Sequence, residues 1–281
     1  MDYLSNLSFE VLVEILTYLS GKNILNLSIC SKYLSKIRFF AKFTEYVHFE
    51  KIENLSYFDS FTYVSFGKIK TNITFPKSLQ SACLFNNVLP QLPDSLLCLE
   101  IDYCYPRISH LPLSLKHLKI GNHYHEQLPQ FPNSLLHLEL DDWNKHPLPP
   151  LPDSLTHLFL GRSYNHQLPK LPVSLKHLKL SDEYNKLLPQ LPDSLLYLDL
   201  GKYYNQVLPQ FPNSLLHLRL GYHYNQPLPS LPNLLTHLYL DCDNNHPLPQ
   251  FPDSLIYLKI PENNNLKLPP LSSKVLVQIW Y

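Results

Sequence analysis

The sequence predicts a small all-α N-terminal domain followed by a solenoid, a stack of short coils that share a parallel β-sheet. Between Leu111 and Pro270, one twenty-residue unit is repeated eight times. Each copy contains the apolar spacing Leu-x-x-Leu-x-Leu, with occasional Ile, and has proline at two fixed positions. A short unit repeated at a fixed period is typical of a solenoid, because one unit cannot bury its apolar face without its neighbours.

Composition excludes several classes of partner. Lys and Arg together number 23, as do Asp and Glu, so no basic field favours nucleic acid or an acidic membrane surface. No apolar run approaches the ~20 residues of a membrane span. The five cysteines are odd in number, lack paired ligand spacing and follow no apolar leader, which indicates reduced thiols in an intracellular protein, cytoplasmic or nuclear.

Residues 1–43 carry helix signals. Ser8 is suited to cap a helix that ends near Gly21, and two further short apolar segments begin at Ile24 and Ser28. Three helices of this size cannot hide their apolar side chains among themselves. The surplus either packs on the first solenoid coil or forms a docking face for a partner, and we favour the docking face.

The solenoid is expected to begin before its regular part. Alternating apolar residues within 43–49, 61–66, 82–84 and 98–101 indicate shortened early coils in residues 44–110, with steps of 17, 18, 17 and 19 residues. Residues 111–270 contain the regular repeats. Residues 271–281 shift the pattern by one residue and lack Leu-Pro, as expected of a C-terminal cap.

Each repeat position has an expected role. In one unit Leu155, Leu158 and Leu160 point inward, and Ser154 satisfies backbone groups before the strand. The recurring Tyr-Asn pair, as at Tyr164, is expected to form a stacked aromatic column beside an asparagine ladder. Proline at two positions per unit excludes a helical return segment, so the return arcs should be extended and largely non-helical. Strands should end at Ile120, Leu140, Leu160, Leu180, Leu200, Leu220, Leu240 and Ile260.

Two columns of side chains are expected to point out of the sheet and to form a face that binds a target. The first column is nearly uniform: His117, His137, His157, His177, Tyr197, His217, His237 and Tyr257. The second varies in charge and size: Lys119, Glu139, Phe159, Lys179, Asp199, Arg219, Tyr239 and Lys259. Uniformity suggests stacking, and variety suggests recognition of a partner. Metal binding is disfavoured, because histidines in a line do not converge on one point.

Charge repulsion along the histidine column should lower the pKa values below 6.5. We expect no enzyme and no cofactor, since no nucleophile–base–acid set, glycine-rich phosphate loop or Cys-x-x-Cys pair is present. Acidic residues after the strands, including Asp141 and Asp241, are interpreted as solvated.

The N-terminal segment resembles the F-box family over roughly residues 3–42. The resemblance rests on Leu7, Glu10, Ile15, Leu16 and Leu19, on Leu25 and Leu27, and on Ile29-Cys30-Ser31-Lys32-Tyr33, with Ser8 in place of the family's usual proline. It implies binding to a Skp-family adaptor and, through that adaptor, to a cullin–RING ubiquitin ligase. The implied adaptor-binding residues are Leu7, Ser8, Leu12, Ile15, Leu16, Leu19, Leu25, Leu27 and Cys30.

The repeats resemble the FNIP family, which is similar to leucine-rich repeats. The matching pattern is Tyr224-Asn225-Gln226-Pro227-Leu228 followed by Leu231-Pro232, with a shorter period than the family's and tyrosine in place of phenylalanine. An F-box followed by such repeats is an architecture associated with social amoebae and giant viruses of amoebae. It implies a substrate receptor of an SCF-type ligase with an unknown protein target.

Two other functions stay open. One is an interaction scaffold, or a decoy, that uses the solenoid without productive ubiquitination. The other is a carbohydrate- or peptide-binding solenoid whose N-terminal domain is only a cap.

Overall fold

The structure is a computed structural model. It describes residues 47–56, 58–67, 74–84, 91–101, 107–122, 124, 126–141, 146–242, 245–261 and 268–280, together with Leu19 and Asn23. The predicted three-helix domain of residues 1–43 therefore lies outside the described residues, apart from those two. The chain divides into two compact units, Met1–Pro106 and Arg107–Tyr281.

The first unit contains four parallel strands in its described part. They are β1 (Val47–His48), β2 (Tyr63–Phe66), β3 (Ser81–Leu84) and β4 (Cys98–Ile101), with 3₁₀ helices at Phe49–Lys51 and Phe58–Ser60. Val47 is aligned with Val64, Tyr63 with Ser81, and Ser81 with Cys98. These pairs confirm the expected first three steps of 17, 18 and 17 residues, so shortened coils precede the regular repeats.

Nine parallel strands lie in the described part of the second unit. They are β5 (His117–Ile120), β6 (His137–Leu140), β7 (His157–Leu160), β8 (His177–Lys179), β9 (Tyr197–Asp199), β10 (His217–Leu220), β11 (His237–Leu240), β12 (Tyr257–Pro261) and β13 (Leu276–Trp280). From β5 to β12 each residue is aligned with the one twenty positions on, as His217 is with His237. The expected ends are confirmed except that β8 and β9 end one residue early and β12 one residue late.

Leucine columns form the core of the second unit. Leu155, Leu158 and Leu160 are at most 3% exposed, and the equivalent residues of the other regular coils are similarly buried. Before each strand from β5 to β12 the segment that opens with Leu-Pro or Phe-Pro forms a tight turn. In one of these turns the Leu155 N–H donates to the Pro152 carbonyl over 3.0 Å. Proline accepts this bond and has no N–H to leave unsatisfied. Within the described part of this unit the return segments contain turns and bends but no helix.

The Tyr-Asn pair builds two internal ladders, as predicted. Tyr164, Tyr184, Tyr204 and Tyr224 are no more than 1% exposed, and neighbouring rings lie nearly parallel with centroids 6.2–6.5 Å apart. Each asparagine side chain accepts from the backbone N–H of the asparagine one coil later. The acceptors are the Oδ1 atoms of Asn165, Asn185, Asn205 and Asn225, at 2.9–3.0 Å from the donor nitrogen. These hydrogen bonds connect neighbouring coils at equivalent positions of the repeat.

The serine that precedes most of the strands also connects coils; before β11 its position is taken by Leu234. The serine hydroxyl donates to a carbonyl of the preceding coil, as Ser154 does to Leu135 at 2.6 Å and Ser194 to Leu175 at 2.7 Å. The predicted role in satisfying the backbone is confirmed, with the acceptor one coil away.

The last strand leaves core positions open. Val277 is aligned with Leu258, and Ile279 with Ile260, after a step of 19 residues. Their exposures are 38% and 53%, because no further coil covers them among the described residues.

Candidate interaction face of the solenoid

The sheet of the second unit places the sixteen predicted target-binding residues in two adjacent columns. We call these residues the outward face. Most strands alternate between a partly exposed residue and a buried one, so that Leu158 and Leu160 enter the core while His157 and Phe159 lie outside. The equal step of twenty residues keeps each column in register from β5 to β12. Because residues twenty positions apart are aligned in the sheet, each outward position of the repeat forms a straight row of side chains.

The first column is a stack of rings. The centroid distance is 5.0 Å between His137 and His157, 4.4 Å between His157 and His177, and 4.2 Å between His217 and His237. Where tyrosine interrupts the column, the rings are tilted, with His177 and Tyr197 6.0 Å apart. Stacking confirms the interpretation of the uniform column as a packing feature. Within the described residues, no three His, Cys, Asp or Glu side chains are grouped as metal ligands would be.

Burial lowers the pKa of several histidines in this column. The pKa of His157 is lowered to about 4, first by burial and then by the charges of His177 and His137. The pKa values of His137, His177 and His217 are lowered in the same direction, again first by burial. The predicted direction is confirmed, but the expected cause is corrected, since loss of solvent outweighs repulsion between neighbours. The stack itself excludes the water that would stabilise the charged rings.

Ion pairs organise the second column near β5 and β6. Lys119 Nζ lies 2.9 Å from Glu139 Oε1 and 3.8 Å from Asp141 Oδ2. The three side chains are similarly exposed, at 38%, 35% and 31%. The group therefore contains one cation and two carboxylates that are all partly exposed to solvent.

A second ion-pair network spans β9 to β12. Arg219 Nε donates to Asp241 Oδ2 over 2.8 Å, and Arg219 Nη1 lies 3.8 Å from Asp199 Oδ2. Lys259 Nζ lies 3.3 Å from Asp241 Oδ1, and Asp199 accepts the Gly201 N–H over 3.0 Å. Burial raises the pKa of Asp199, against the Gly201 hydrogen bond and the Arg219 charge. Asp199 is only 5% exposed, unlike the other residues of the outward face, and both of its carboxylate oxygens have a partner, in Gly201 and Arg219.

The interpretation of Asp241 as a solvated turn residue is wrong. Asp241 is 8% exposed and contacts two cations of the second column. Asp241 directly follows β11. It lies 22 residues after Arg219, which is one coil plus two residues, and this places the two side chains diagonally next to each other. The sequence does contain a signal for this contact. Among the regular repeats, only Asp141 and Asp241 are acids directly after the expected strand end, and each lies 22 residues after a basic residue of the second column.

These charged residues line a concave region of about 330 Å³. It is bounded by strand residues from β8 to β12 and by the turns that follow them: Lys179, Asp182, Asp199, Gly201, Lys202, Arg219, Gly221, Tyr222, Asp241 and Lys259. The sequence reasoning missed Asp182, Lys202 and Tyr222, because turn residues do not share the two-residue alternation of the strands.

The predicted adaptor-binding residues cannot be placed in the same way. Leu7, Ser8, Leu12, Ile15, Leu16, Leu25, Leu27 and Cys30 lie outside the described residues. Leu19 is described, at a bend, and is half-buried.

Comparison with family models assigns both parts of the chain. The F-box domain model matches residues 4–37, and the FNIP Repeat model matches residues 164–203, 184–223, 204–243 and 224–263. The chain is an F-box protein with FNIP repeats. Domains of both kinds typically act as non-catalytic interaction modules, so the F-box/FNIP protein has the domain composition of a protein-interaction adaptor.

Solved structures give the same fold. The F-box/FNIP protein is similar to CroV588, described as a novel circular leucine-rich-repeat protein, with 28% identity, a TM-score of 0.60 and coverage of 79% of this chain and 40% of that one. It is also similar to YopM from Yersinia enterocolitica, with 25% identity, a TM-score of 0.60 and coverage of 79% and 55%. The fold is thus a parallel-sheet solenoid resembling leucine-rich-repeat proteins. The match spans about half or less of each of these relatives' length.

A search of curated proteins gave no match. Among the described residues, no helix has the length and hydrophobicity needed to cross a bilayer.

Proposed function

We propose that this F-box/FNIP protein is the substrate-recognition subunit of an SCF-type cullin–RING ubiquitin ligase. The F-box binds a Skp-family adaptor, and the outward face of the solenoid binds the target protein. Ubiquitin transfer belongs to the other subunits, so the chain needs neither a catalytic residue nor a cofactor. The protein acts inside the cell, in the cytoplasm or nucleus, or in the host cytoplasm if it is viral.

The observation that supports this proposal is the joining of two features in one chain. An F-box match at residues 4–37 precedes a solenoid whose second outward column differs from strand to strand. If the second column served only to pack the coils together, it could be as uniform as the histidine column. Variation from Lys119 through Phe159 to Arg219 instead suits recognition of one particular partner surface.

Co-expression with a Skp-family adaptor tests the proposal. We expect the wild-type chain to co-elute with the adaptor and the Leu12→Asp, Leu16→Asp double variant to be lost from the complex, because charges do not enter an apolar interface. Leu113→Asp is the matched control, since Leu113 is 81% exposed on the solenoid and its substitution should leave co-elution unchanged.

Circular dichroism establishes that each variant is folded. A folded wild-type chain that does not co-elute contradicts the proposal. Co-elution without ubiquitin transfer in a reconstituted cullin–RING reaction supports the alternative of a scaffold or decoy.

A further inference from the structure

Around Arg219 the basic side chains are more exposed to solvent than the acidic ones. The side chain of Arg219 is 48% exposed and that of Lys259 is 24% exposed. Their acidic partners are much more buried, with Asp199 at 7% and Asp241 at 11%. Solvent and any partner therefore meet the cations first, although cations and carboxylates are nearly equal in number.

Two further lysines extend this surface. Lys179 and Lys202 are exposed, line the same concave region and form no ion pair with another described residue. Together with Arg219 and Lys259 they form what we call the cationic patch. Four cations and three carboxylates line the region, and two of the carboxylates are covered. The field at its mouth is positive.

The ion pairs near β5 provide an internal comparison. There Lys119 is 38% exposed and its partners Glu139 and Asp141 are 35% and 31% exposed. The single lysine is hardly more exposed than its two acidic partners, so positive charge does not dominate this part of the surface. The cationic patch is consequently a local property of β8 to β12 and not a general property of the sheet.

Exposed aromatic rings border the cationic patch. Tyr222 is 53% exposed and Tyr203 is 44% exposed, and Lys202 Nζ lies 5.3 Å from the centre of the Tyr203 ring. His223 stacks on Tyr203 with centroids 4.7 Å apart. Tyrosine and arginine are the residue types that dominate binding energy at interfaces. Their presence around a positive concavity marks the part of the outward face suited to bind a partner.

We propose that the cationic patch binds an extended acidic segment of the target protein. This inference rests on the proposed function and specifies the class of target. Lys179, Arg219 and Lys259 occupy alternate strands, which places them about 10 Å apart at an inter-strand spacing of roughly 4.8 Å. In an extended chain of the polyproline II type, with three residues per turn and a rise of about 3.1 Å per residue, carboxylates three residues apart lie on one face and about 9 Å apart. A segment with an acid at every third position therefore meets all three cations.

Fluorescence anisotropy with a labelled peptide tests this inference. The probe is Glu-Gly-Ser-Glu-Gly-Ser-Glu, and the matched probe has Gln in place of every Glu. We expect the full chain to bind the Glu peptide and not the Gln peptide, with affinity falling as salt rises, since screening acts on exposed charges. Equal binding of both peptides, or no binding of the Glu peptide, overturns the inference.

Variants connect the binding to the patch. Lys179→Glu with Lys202→Glu should weaken binding of the Glu peptide by about tenfold or more, because each reversal replaces attraction by repulsion. Lys170→Glu, the same substitution at one exposed residue of a return arc, should have little effect. An unchanged affinity in the double variant overturns the inference, as does tighter binding of a single-stranded DNA oligonucleotide of matched charge.

Adaptor co-elution of the Lys179→Glu, Lys202→Glu variant separates the two proposals. Retained co-elution with lost peptide binding supports both. Wild-type co-elution without peptide binding overturns only the inference on target class, whereas failure of wild-type co-elution overturns the proposed function.

Discussion

At the scale of single residues, the solenoid depends on side chains that satisfy the backbone of a neighbouring coil. Asn205 is representative. Its Oδ1 accepts the Asn225 N–H over 2.9 Å and the Gln226 Nε2–H over 3.3 Å, while its own N–H donates to Asn185. One asparagine therefore connects three successive coils, and its removal leaves a donor in a region with restricted access to water.

Substitution of Asn205 by Ala should lower the free energy of unfolding by about 1–3 kcal/mol, the cost of leaving a partly buried N–H unsatisfied. Urea denaturation followed by circular dichroism measures this change. Asn213→Ala, at an exposed turn position, is the control and should change stability by no more than about 0.5 kcal/mol. Equal effects of the two substitutions would mean that the asparagine ladder is not stabilising.

At the scale of structural elements, coils touch through columns of identical residues. Tyr204 is fully buried between Tyr184 and Tyr224, with ring centroids 6.2 and 6.3 Å away. Burial raises the pKa of Tyr184 to about 12, so these phenols remain neutral in the interior. The repeat determines which tyrosines stack, because the period of twenty residues places each ring beside the equivalent rings of the coils before and after it.

Replacing Tyr204 by Ala should destabilise the solenoid by about 3–5 kcal/mol, since it opens a cavity beside two large rings. Thermal and chemical unfolding of Tyr222→Ala provides the comparison, because Tyr222 is 53% exposed. Unfolding of both variants at the same denaturant concentration would show that the buried tyrosine column does not stabilise the solenoid more than an exposed tyrosine does.

Neighbouring coils approach each other closely at the glycines that follow the strands. A Cβ on Gly221 would lie 1.5 Å from the Gly201 carbonyl oxygen. We expect Gly221→Ala to lower stability by about 2 kcal/mol or more, because backbone has to move. Gly67→Ala is the control, where the added Cβ would meet only the flexible carboxylate of Glu50 at 2.7 Å. A Gly221→Ala protein with wild-type denaturation would show that the coils can separate at little cost.

At the scale of the whole molecule, the histidine column connects stability to pH. The pKa values of His137, His157, His177 and His217 are lowered in the folded chain, first by burial. Between pH 6.5 and about 4 the unfolded chain therefore binds more protons than the folded one. The stability contributed by these neutral rings is fully present above pH 6.5 and is lost as the pH falls.

The melting temperature should accordingly fall from pH 7.5 to pH 5, and it should fall less in a His137→Gln, His157→Gln double variant. His110→Gln, an exposed histidine outside the column, should retain the wild-type dependence. Differential scanning calorimetry over this range measures the effect. A wild-type melting temperature that is independent of pH would contradict the sign derived from the lowered pKa values.

The sequence by itself determined the solenoid, its parallel strands, both outward columns and the tyrosine and asparagine ladders. It could do so because a fixed period of twenty residues places each strand residue beside its equivalents in the neighbouring coils. The depth of each charge was decided by tertiary structure. Asp199 and Asp241 are buried and Lys179 is exposed, although all three read as polar residues at or after strands. Burial depends on which side chains of two adjacent coils cover a carboxylate, and no single repeat contains that information.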